Sequence, residues 1–239
     1  MGNWLTVVES SSGSSGQNIQ RTLQATSRNN GRNPRSKRVQ ISSPNAQTVY
    51  ADVSQRGRGS FIEIETQAND TISVANNNYQ ATQVTITGRS NAESLQIVLG
   101  NGTHFHLRQN QDVSFQQDNQ TRQSIGTFLL QNSVVTPNDD PGKDDSYRFS
   151  LTIEVDANST VSAITDTITI TDPDNPSVSD SATLSHAAGD AFIRITGQPG
   201  IIANDEGSTA TIIFETNENW QINITEVPNV VNPTPTPSE

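Results

Sequence analysis

Two histidines separated by one residue are the most metal-like pattern in the sequence. His104 and His106 flank Phe105, so on a strand both imidazoles would lie on one face, a spacing that metal ions use. Asp112 is the nearest further ligand in the sequence. The pattern therefore favours two solvated histidines on a surface strand over a metal site.

Two acidic turns offer the oxygen ligands that calcium prefers. They lie at 139–145 and 172–176 and are rich in Asp, Asn, Pro and Gly. The same residue types make ordinary turns, which is the interpretation that we favour. Asp172 and Asp174 remain weak calcium candidates, and we predict no cofactor.

The sequence offers no catalytic arrangement of side chains. We find no Ser/His/Asp set, no paired carboxylates on framed strands and no phosphate loop, and so we expect no enzyme activity. The net charge of −11 argues against binding to nucleic acid, although the basic cluster at 28–38 could contact phosphates, an acidic glycan or a salt-bridge partner. No apolar run is long enough to span a membrane, and the N-terminus lacks a signal-peptide pattern.

Composition and periodicity predict an all-β chain. Among its 239 residues, 31% are hydrophobic and 5% aromatic, and cysteine is absent. The apolar residues alternate with polar ones in runs such as Gln83–Thr87 and Thr167–Thr171, which is the period of a strand. We predict tandem immunoglobulin-like β-sandwiches, thin enough for each sheet to keep one wet face.

A repeat places the module boundaries. Val53–Ile64 recurs as Leu184–Ile195, 131 residues later, and both segments contain an apolar residue, Ser, a Gly hinge and Phe-Ile-x-Ile. The predicted organisation is a second half module at 1–59, a complete module at 60–190, a first half module at 191–226 and a proline-rich tail at 227–239.

The predicted strands follow this organisation. They are Trp4–Val8, Ile19–Ala25, Arg38–Ser42, Thr48–Ser54, Ser60–Thr66, Gln83–Thr87, Ser94–Leu99, Gly126–Gln131, Phe149–Asp156, Ala163–Thr171, Ser181–Ser185, Phe192–Thr196, Ser208–Thr216 and Asn219–Ile224. The apolar-poor stretch Gln109–Gln123 is predicted to be a surface loop. In the alignment of the halves with the middle module, Trp4 matches Phe128, Leu23–Ala25 matches Ile153–Val155, and Trp220 matches Leu95.

Several short motifs resemble the BACON domain, provided that 191–239 is placed before 1–57. They are Thr-Asn-x-x-Trp-x-Ile at 216–222, Trp-Leu-Thr-Val with a Ser/Gly turn at 4–16, a strand ending near Asn29, an Arg/Lys-led strand at 35–41 and Ser-Gln-x-Gly at 54–57. BACON domains are immunoglobulin-like modules of gut Bacteroidetes and of the crAss-like bacteriophages that infect them. The resemblance implies a β-sandwich in a phage or bacterial surface protein.

Half modules should pair, because each exposes strand edges and one apolar face. Residues 1–60 carry eight basic and two acidic groups, a net +6, whereas residues 191–239 carry one basic and six acidic groups, a net −5. The predicted pairing interface consists of Trp4, Leu5, Val7, Arg35, Lys37, Arg38 and Ile41 on one half, and of Phe192, Ile195, Phe214, Glu215 and Trp220 on the other.

The sequence allows two ways for the half modules to pair. Halves of neighbouring chains could combine head to tail into a ring or fibre, or the halves of one chain could close beside the middle module. The first hypothesis for function is a phage virion component, such as a capsid decoration or head fibre, assembled in the host cytoplasm with itself and other virion proteins as partners. The alternatives are a glycan-binding adhesion module at the bacterial surface or in the periplasm, and a monomeric spacer.

Aromatic residues bear on the glycan alternative. Trp4 and Trp220 align with core positions, which favours burial over sugar stacking. Tyr50, Tyr79 and Tyr147 remain as weak candidates for contact with a glycan.

Overall fold

Strands make up all the regular secondary structure in the part of the chain that the structure describes. This computed structural model describes residues 3–9, 12–66, 68–77, 80–108, 110–118, 123–128, 134–197 and 206–225. The all-β prediction is confirmed. Within these residues there is no helix with the length and apolar character of a membrane span.

The strands are numbered in chain order. They are β1 (Leu5–Val7), β2 (Leu23–Ala25), β3 (Arg35–Ser43), β4 (Ala46–Gln55), β5 (Ile62–Ile64), β6 (Thr71–Val74), β7 (Thr82–Ser90), β8 (Leu95–Leu99), β9 (Phe105–Leu107), β10 (Gln111–Gln117), β11 (Gln123–Phe128), β12 (Val134–Val135), β13 (Tyr147–Val155), β14 (Ile164–Asp172), β15 (Asn175–His186), β16 (Ile193–Gly197) and β17 (Ile213–Thr216).

The middle of the chain is a β-sandwich, as predicted. One sheet has the order β11-β10-β13-β7-β5, with β9 also paired to β13, and the other has the order β12-β8-β14-β15-β6. The core forms from alternate residues of both sheets. On β13, for example, Phe149, Leu151 and Ile153 point inward and are buried, whereas Arg148 is exposed.

The terminal segments form separate two-stranded sheets. They are β1-β2 and β3-β4 on the N-terminal side and β16-β17 on the C-terminal side. The chain divides into a first unit of residues 1–158 and 162–189 and a second unit of residues 159–161 and 190–239. A two-stranded sheet is marginally stable by itself in water, so these pairs need further cover.

The predicted surface loop at Gln109–Gln123 is wrong for most of its length. Residues 111–117 form β10, which pairs with β11 and β13. Val113 and Phe115 alternate with polar residues and are buried, which is enough to anchor a strand whose flanks are rich in Gln. Residues 109 and 119–122 lie outside the described part.

Three predicted strands of the terminal halves form only in part or not at all. Asn219–Ile224 is irregular, and only Leu23–Ala25 of the predicted Ile19–Ala25 is a strand. Asn219–Ile224 alternates as a strand should, and Ile19–Ala25 does so except at Arg21, but a strand also needs a hydrogen-bonded neighbour. Leu23–Ala25 has one, because it pairs with β1. Ser208–Thr216 is shortened to β17.

Candidate assembly interface

The β16-β17 pair of the second unit repeats the β5-β7 pair of the middle module. Ile62 lies opposite Ser90 and Ile64 opposite Gly88. In the same register, Ile193 lies opposite Thr216 and Ile195 opposite Phe214. The residue between the two isoleucines lies opposite a residue of unlike charge in both pairs, with the signs exchanged: Glu63 lies opposite Arg89, and Arg194 opposite Glu215.

An asparagine makes the same two hydrogen bonds at the end of each pair. Asn91 Oδ1 accepts from the Phe61 N–H at 3.0 Å, and its Nδ2 donates to the Gly59 carbonyl at 3.3 Å. Asn217 Oδ1 accepts from the Phe192 N–H at 2.9 Å, and its Nδ2 donates to the Asp190 carbonyl at 3.0 Å. The second unit therefore begins as the middle module begins.

The β3-β4 hairpin repeats the β14-β15 hairpin. Arg35 lies opposite Gln55 where Ile164 lies opposite His186, and both hairpins turn through a proline, at Pro44 and Pro173. This register places Val39 and Ile41 at the positions of Ile168 and Ile170. The N-terminal half thus ends as the middle module ends.

The β1-β2 pair repeats the contact between β9 and the end of β13. Leu5 and Val7 lie opposite Ala25 and Leu23, as Phe105 and Leu107 lie opposite Val155 and Ile153. The match of Leu23–Ala25 to Ile153–Val155 is consistent with this register. The match of Trp4 to Phe128 is wrong.

The position of Trp4 corresponds instead to that of His104. The Thr26 N–H donates to the Trp4 carbonyl at 2.7 Å, and the Asp156 N–H donates to the His104 carbonyl at 2.9 Å. Sequence similarity pointed to Phe128 because both residues are aromatic, whereas the pairing register depends on the backbone.

A second buried asparagine marks the N-terminal half as a module end. Asn29 Nδ2 donates to the Asn33 carbonyl at 2.8 Å, and Asn158 Nδ2 donates to the Ser162 carbonyl at 2.9 Å. Both asparagines are buried. The sequence analysis missed these two asparagines and the pair Asn91 and Asn217. The signal was their spacing, because Asn29 and Asn158 lie equally far before β3 and β14, and Asn91 and Asn217 directly follow β7 and β17.

Positions that are buried in the middle module are exposed in the halves. Ile62, Ile64, Leu95, Ile97 and Ile170 are at most 7% exposed. Their counterparts Ile193, Ile195, Trp220, Ile222 and Ile41 are between 57% and 65% exposed, and Ile224, the counterpart of Leu99, is 97% exposed. The halves have the side chains of a core without the second layer that would cover them.

The predicted interface residues of the N-terminal half lie on β1 and β3 or beside them. Trp4 is buried, and the Arg35 guanidinium lies over its ring at 4.8 Å from the centroid. Lys37 Nζ donates to Asn3 Oδ1 at 2.5 Å. Leu5 and Val7 are half-buried, and Ile41 is exposed.

Arg38 is exposed and binds Asp52 on the neighbouring strand. Its Nε and Nη2 donate to the two carboxylate oxygens at 2.8 and 3.1 Å. Hydrogen bonding to Arg38 lowers the pKa of the Asp52 carboxyl. An exposed pair of this kind stabilises little, so its charges remain accessible to a partner.

The predicted interface residues of the second unit lie on and around the β16-β17 pair. Phe214 and Trp220 contact each other edge to face at 5.0 Å between ring centroids. Glu215 accepts from Arg194 at 2.9 Å. Phe192 is half-buried and Ile195 is exposed. The expectation that Trp220 is a core residue is wrong within one chain, where it is 57% exposed.

His104 contacts a histidine from a distant part of the chain, His186, and does not form a site with His106. His104 Nε2 and the buried His186 Nδ1 lie 2.9 Å apart, and His106 Nε2 lies 2.9 Å from Asp156 Oδ2. The interpretation as a solvated histidine is therefore wrong for His104, whereas the side chain of His106 is 38% exposed. Desolvation lowers the pKa of His104 and of His186, and for His186 the neighbouring His104 lowers it further.

The histidine pair should make the middle module less stable in mild acid. Below its usual pKa of about 6.5 a histidine is protonated in the unfolded chain, whereas the lowered pKa keeps the folded pair neutral, so stability falls as pH falls through 6.5. We expect the melting temperature to drop by several degrees between pH 7.5 and 5. This window lies above the usual carboxyl pKa of about 4.

The matched variants for this prediction are His186→Gln and His106→Gln. Gln stands at the position of His186 in the N-terminal half, as Gln55, and should remove most of the drop. His106→Gln should leave most of it in place. A melting temperature that is unchanged or higher at pH 5 in the unsubstituted chain would contradict the prediction.

The weak calcium candidates serve the turn. Asp172 is buried and accepts hydrogen bonds from Ser60 Oγ and, at 3.0 Å, from the Asp174 N–H. Within the described ranges, no group of three or more His, Cys, Asp or Glu side chains is placed to hold a metal ion.

The tyrosine candidates for glycan contact differ in exposure. Tyr147 is fully buried and donates to the Ala92 carbonyl at 3.0 Å, so that candidate is wrong. Tyr50 is exposed next to Arg38. Tyr79 lies outside the described residues.

Comparisons with known proteins identify no family. No protein-family model matches the sequence. No curated protein matches it. The resemblance to BACON domains therefore has no matching family model behind it.

Two solved structures are similar to the chain. One comprises cadherin-like domains 1 to 4 of zebrafish RET, with 8% identity and a TM-score of 0.36, covering 78% of this chain and 40% of that chain. The other is the collagen-binding domain of Erysipelothrix rhusiopathiae surface protein RspB, with 11% identity and a TM-score of 0.24, covering 70% and 63%. The chain thus spans less than two thirds of each. The function proposed below depends on the chain's own geometry and not on these likenesses.

Proposed function

We propose that this chain is a non-enzymatic structural protein that assembles through its complementary half modules. The observation that carries the proposal is the correspondence of strands. The second unit repeats the start of the middle module and the N-terminal half repeats its end, and core positions are exposed in both. Together the two halves hold the counterparts of three strand pairs of one module, which are β5-β7, β9-β13 and β14-β15.

Burial of these side chains supplies the driving force. Six exposed apolar side chains have buried or partly buried counterparts in the middle module: Ile41, Ile193, Ile195, Trp220, Ile222 and Ile224. At about 1.5–3 kcal/mol for each, their burial would contribute roughly 10 kcal/mol or more before the cost of ordering and association.

Charge favours pairing of unlike halves. Residues 1–60 carry a net charge of +6 and residues 191–239 a net charge of −5, so unlike halves attract, whereas two like halves would repel. Complementary charge raises the association rate and suppresses wrong partners more than it sets affinity. Assembly should therefore be faster at low salt.

The biological setting that we propose is a bacteriophage virion, as a capsid decoration or head fibre assembled in the host cytoplasm. Its support is the resemblance to BACON domains, which occur in crAss-like phages, and a surface suited to repeated assembly. The proposed partners are further copies of the chain and other virion proteins, without nucleic acid or membrane.

Sedimentation velocity of the purified chain tests the proposal. We expect the average mass to rise above the 25.8 kDa of one chain as concentration increases, and the association rate to fall at high salt. A single species of 25.8 kDa at every concentration would contradict assembly and would favour the monomeric spacer.

Glycan binding at a bacterial surface or in the periplasm is the second candidate. The observation in its favour is the exposure of Trp220, whose ring stands edge to face against Phe214. Exposed aromatic rings can stack on sugars. A glycan array with the unsubstituted chain and Trp220→Ala tests it, and silence from both would remove this candidate.

A further inference from the structure

The irregular segment 220–224 corresponds to a central strand of the middle module. In that module β8 pairs with β14, so that Ile97 lies opposite Ile170 and Leu99 opposite Ile168. Asn217 corresponds to Asn91, and a one-residue deletion after it aligns Trp220 with Leu95. Ile222 and Ile224 are then the counterparts of Ile97 and Leu99. The alternating residues are suited to a strand, and what is missing is a neighbour.

Strand β3 has the matching free edge. Its counterpart β14 lies between β8 and β15, whereas β3 pairs with β4 and with no other strand of the described residues. The residues along that edge, 39–42, correspond to 168–171, which are the residues that pair with β8. An open edge next to the exposed Ile41 is a template for an added strand.

We propose that residues 220–224 of one chain add as an antiparallel strand to the free edge of β3 in a second copy. The register places Ile222 opposite Ile41, Asn223 opposite Gln40 and Ile224 opposite Val39. This inference depends on the proposed assembly function and specifies the strand and the register that carry it.

The division of strands makes a complementary half the occupant, and the exposure of Ile222 and Ile224 in one chain favours the half of a second copy. The second unit contains the counterparts of β5, of the end of β7 and of β8. The N-terminal half contains those of β9, the end of β13, β14 and β15. Among the described residues, no strand of the middle module has a counterpart in both halves. In chain order, the division between the two sets of strands falls in the loop between β8 and β9. Their opposite net charges also favour this union.

Disulfide trapping tests the register, because the chain has no cysteine of its own. Gln40 and Asn223 correspond to Thr169 and Val98, which face away from the core. One chain would carry Gln40→Cys and a second Asn223→Cys, and the two would be mixed and oxidised. The matched control replaces Gln40→Cys by Ser36→Cys, which lies on the same face of β3, about 13 Å further along the strand.

We expect the Gln40 and Asn223 pair to give covalent dimer at least ten times faster than the Ser36 control. Equal rates, or a faster control, in chains that still assemble by sedimentation would overturn the register and leave the assembly function intact. Failure of the unsubstituted chain to assemble would overturn both the register and the assembly function. A disulfide that forms within a doubly substituted chain but never between mixed chains would overturn the second copy as occupant.

Discussion

Replacement of Ile222 and Ile224 by aspartate should abolish assembly and leave the middle module folded. The two isoleucines are 58% and 97% exposed in one chain, so their loss removes little that stabilises the monomer. In the proposed strand addition Ile222 would be buried and Ile224 partly buried, as Ile97 and Leu99 are in the middle module. Each position would then lose the burial of an isoleucine and gain the desolvation of a carboxylate.

The loss of one buried and one partly buried isoleucine corresponds to about 2–5 kcal/mol, or roughly a thirtyfold to several-thousandfold weaker association. Sedimentation velocity measures it directly, and circular dichroism confirms that the middle module remains folded. Assembly of the double variant with unchanged affinity would exclude this segment as the contact.

Ile125→Asp is the matched control. Ile125 is 47% exposed on β11, and β11 has no counterpart among the described residues of either half. The substitution places the same charge at an exposed isoleucine outside the proposed contact. We expect assembly of this variant to be close to that of the unsubstituted chain.

Strand type and module repeat were predictable from the sequence because both depend on local patterns. The Phe-Ile-x-Ile motif of β5 and β16 and the Thr-Ile alternation of β14 give the strand period directly. The strand Asn219–Ile224 and the 19–22 part of the strand Ile19–Ala25 were predicted from alternation, which Arg21 interrupts in the second. They are absent because strand formation also requires a neighbour, which periodicity does not report.

Contacts between residues far apart in the chain could not be predicted from the sequence pattern. The pairing of His104 with His186 joins residues 82 positions apart, and neither has a motif that indicates the other. The insertion strand β10 was missed because its apolar support is limited to Val113 and Phe115 among glutamines. The asparagines at 91 and 217 act through backbone hydrogen bonds, which residue type alone does not reveal.

Hydrogen exchange should show residues 221–224 as strongly protected once the halves have met. In one chain this segment is irregular and its side chains are exposed, so its amides should exchange at rates close to those of an unfolded peptide. In the added strand, alternate amides would bond to β3. We expect exchange there to slow by about a thousandfold or more.

The matched internal control is β8, the counterpart strand inside the middle module. It pairs with β14 in every chain, so its amides should be protected at all concentrations. The amides of 39–42 on the free edge of β3 should change together with those of 221–224, because one set bonds the other. Protection of one segment without the other would indicate a different partner.

Hydrogen exchange of the full chain over a concentration series therefore tests most directly whether the two terminal halves complete one another. We expect 221–224 and 39–42 to gain protection together, towards the level of β8, as concentration rises. Rapid exchange of both segments at every concentration, beside a protected β8, would contradict this expectation.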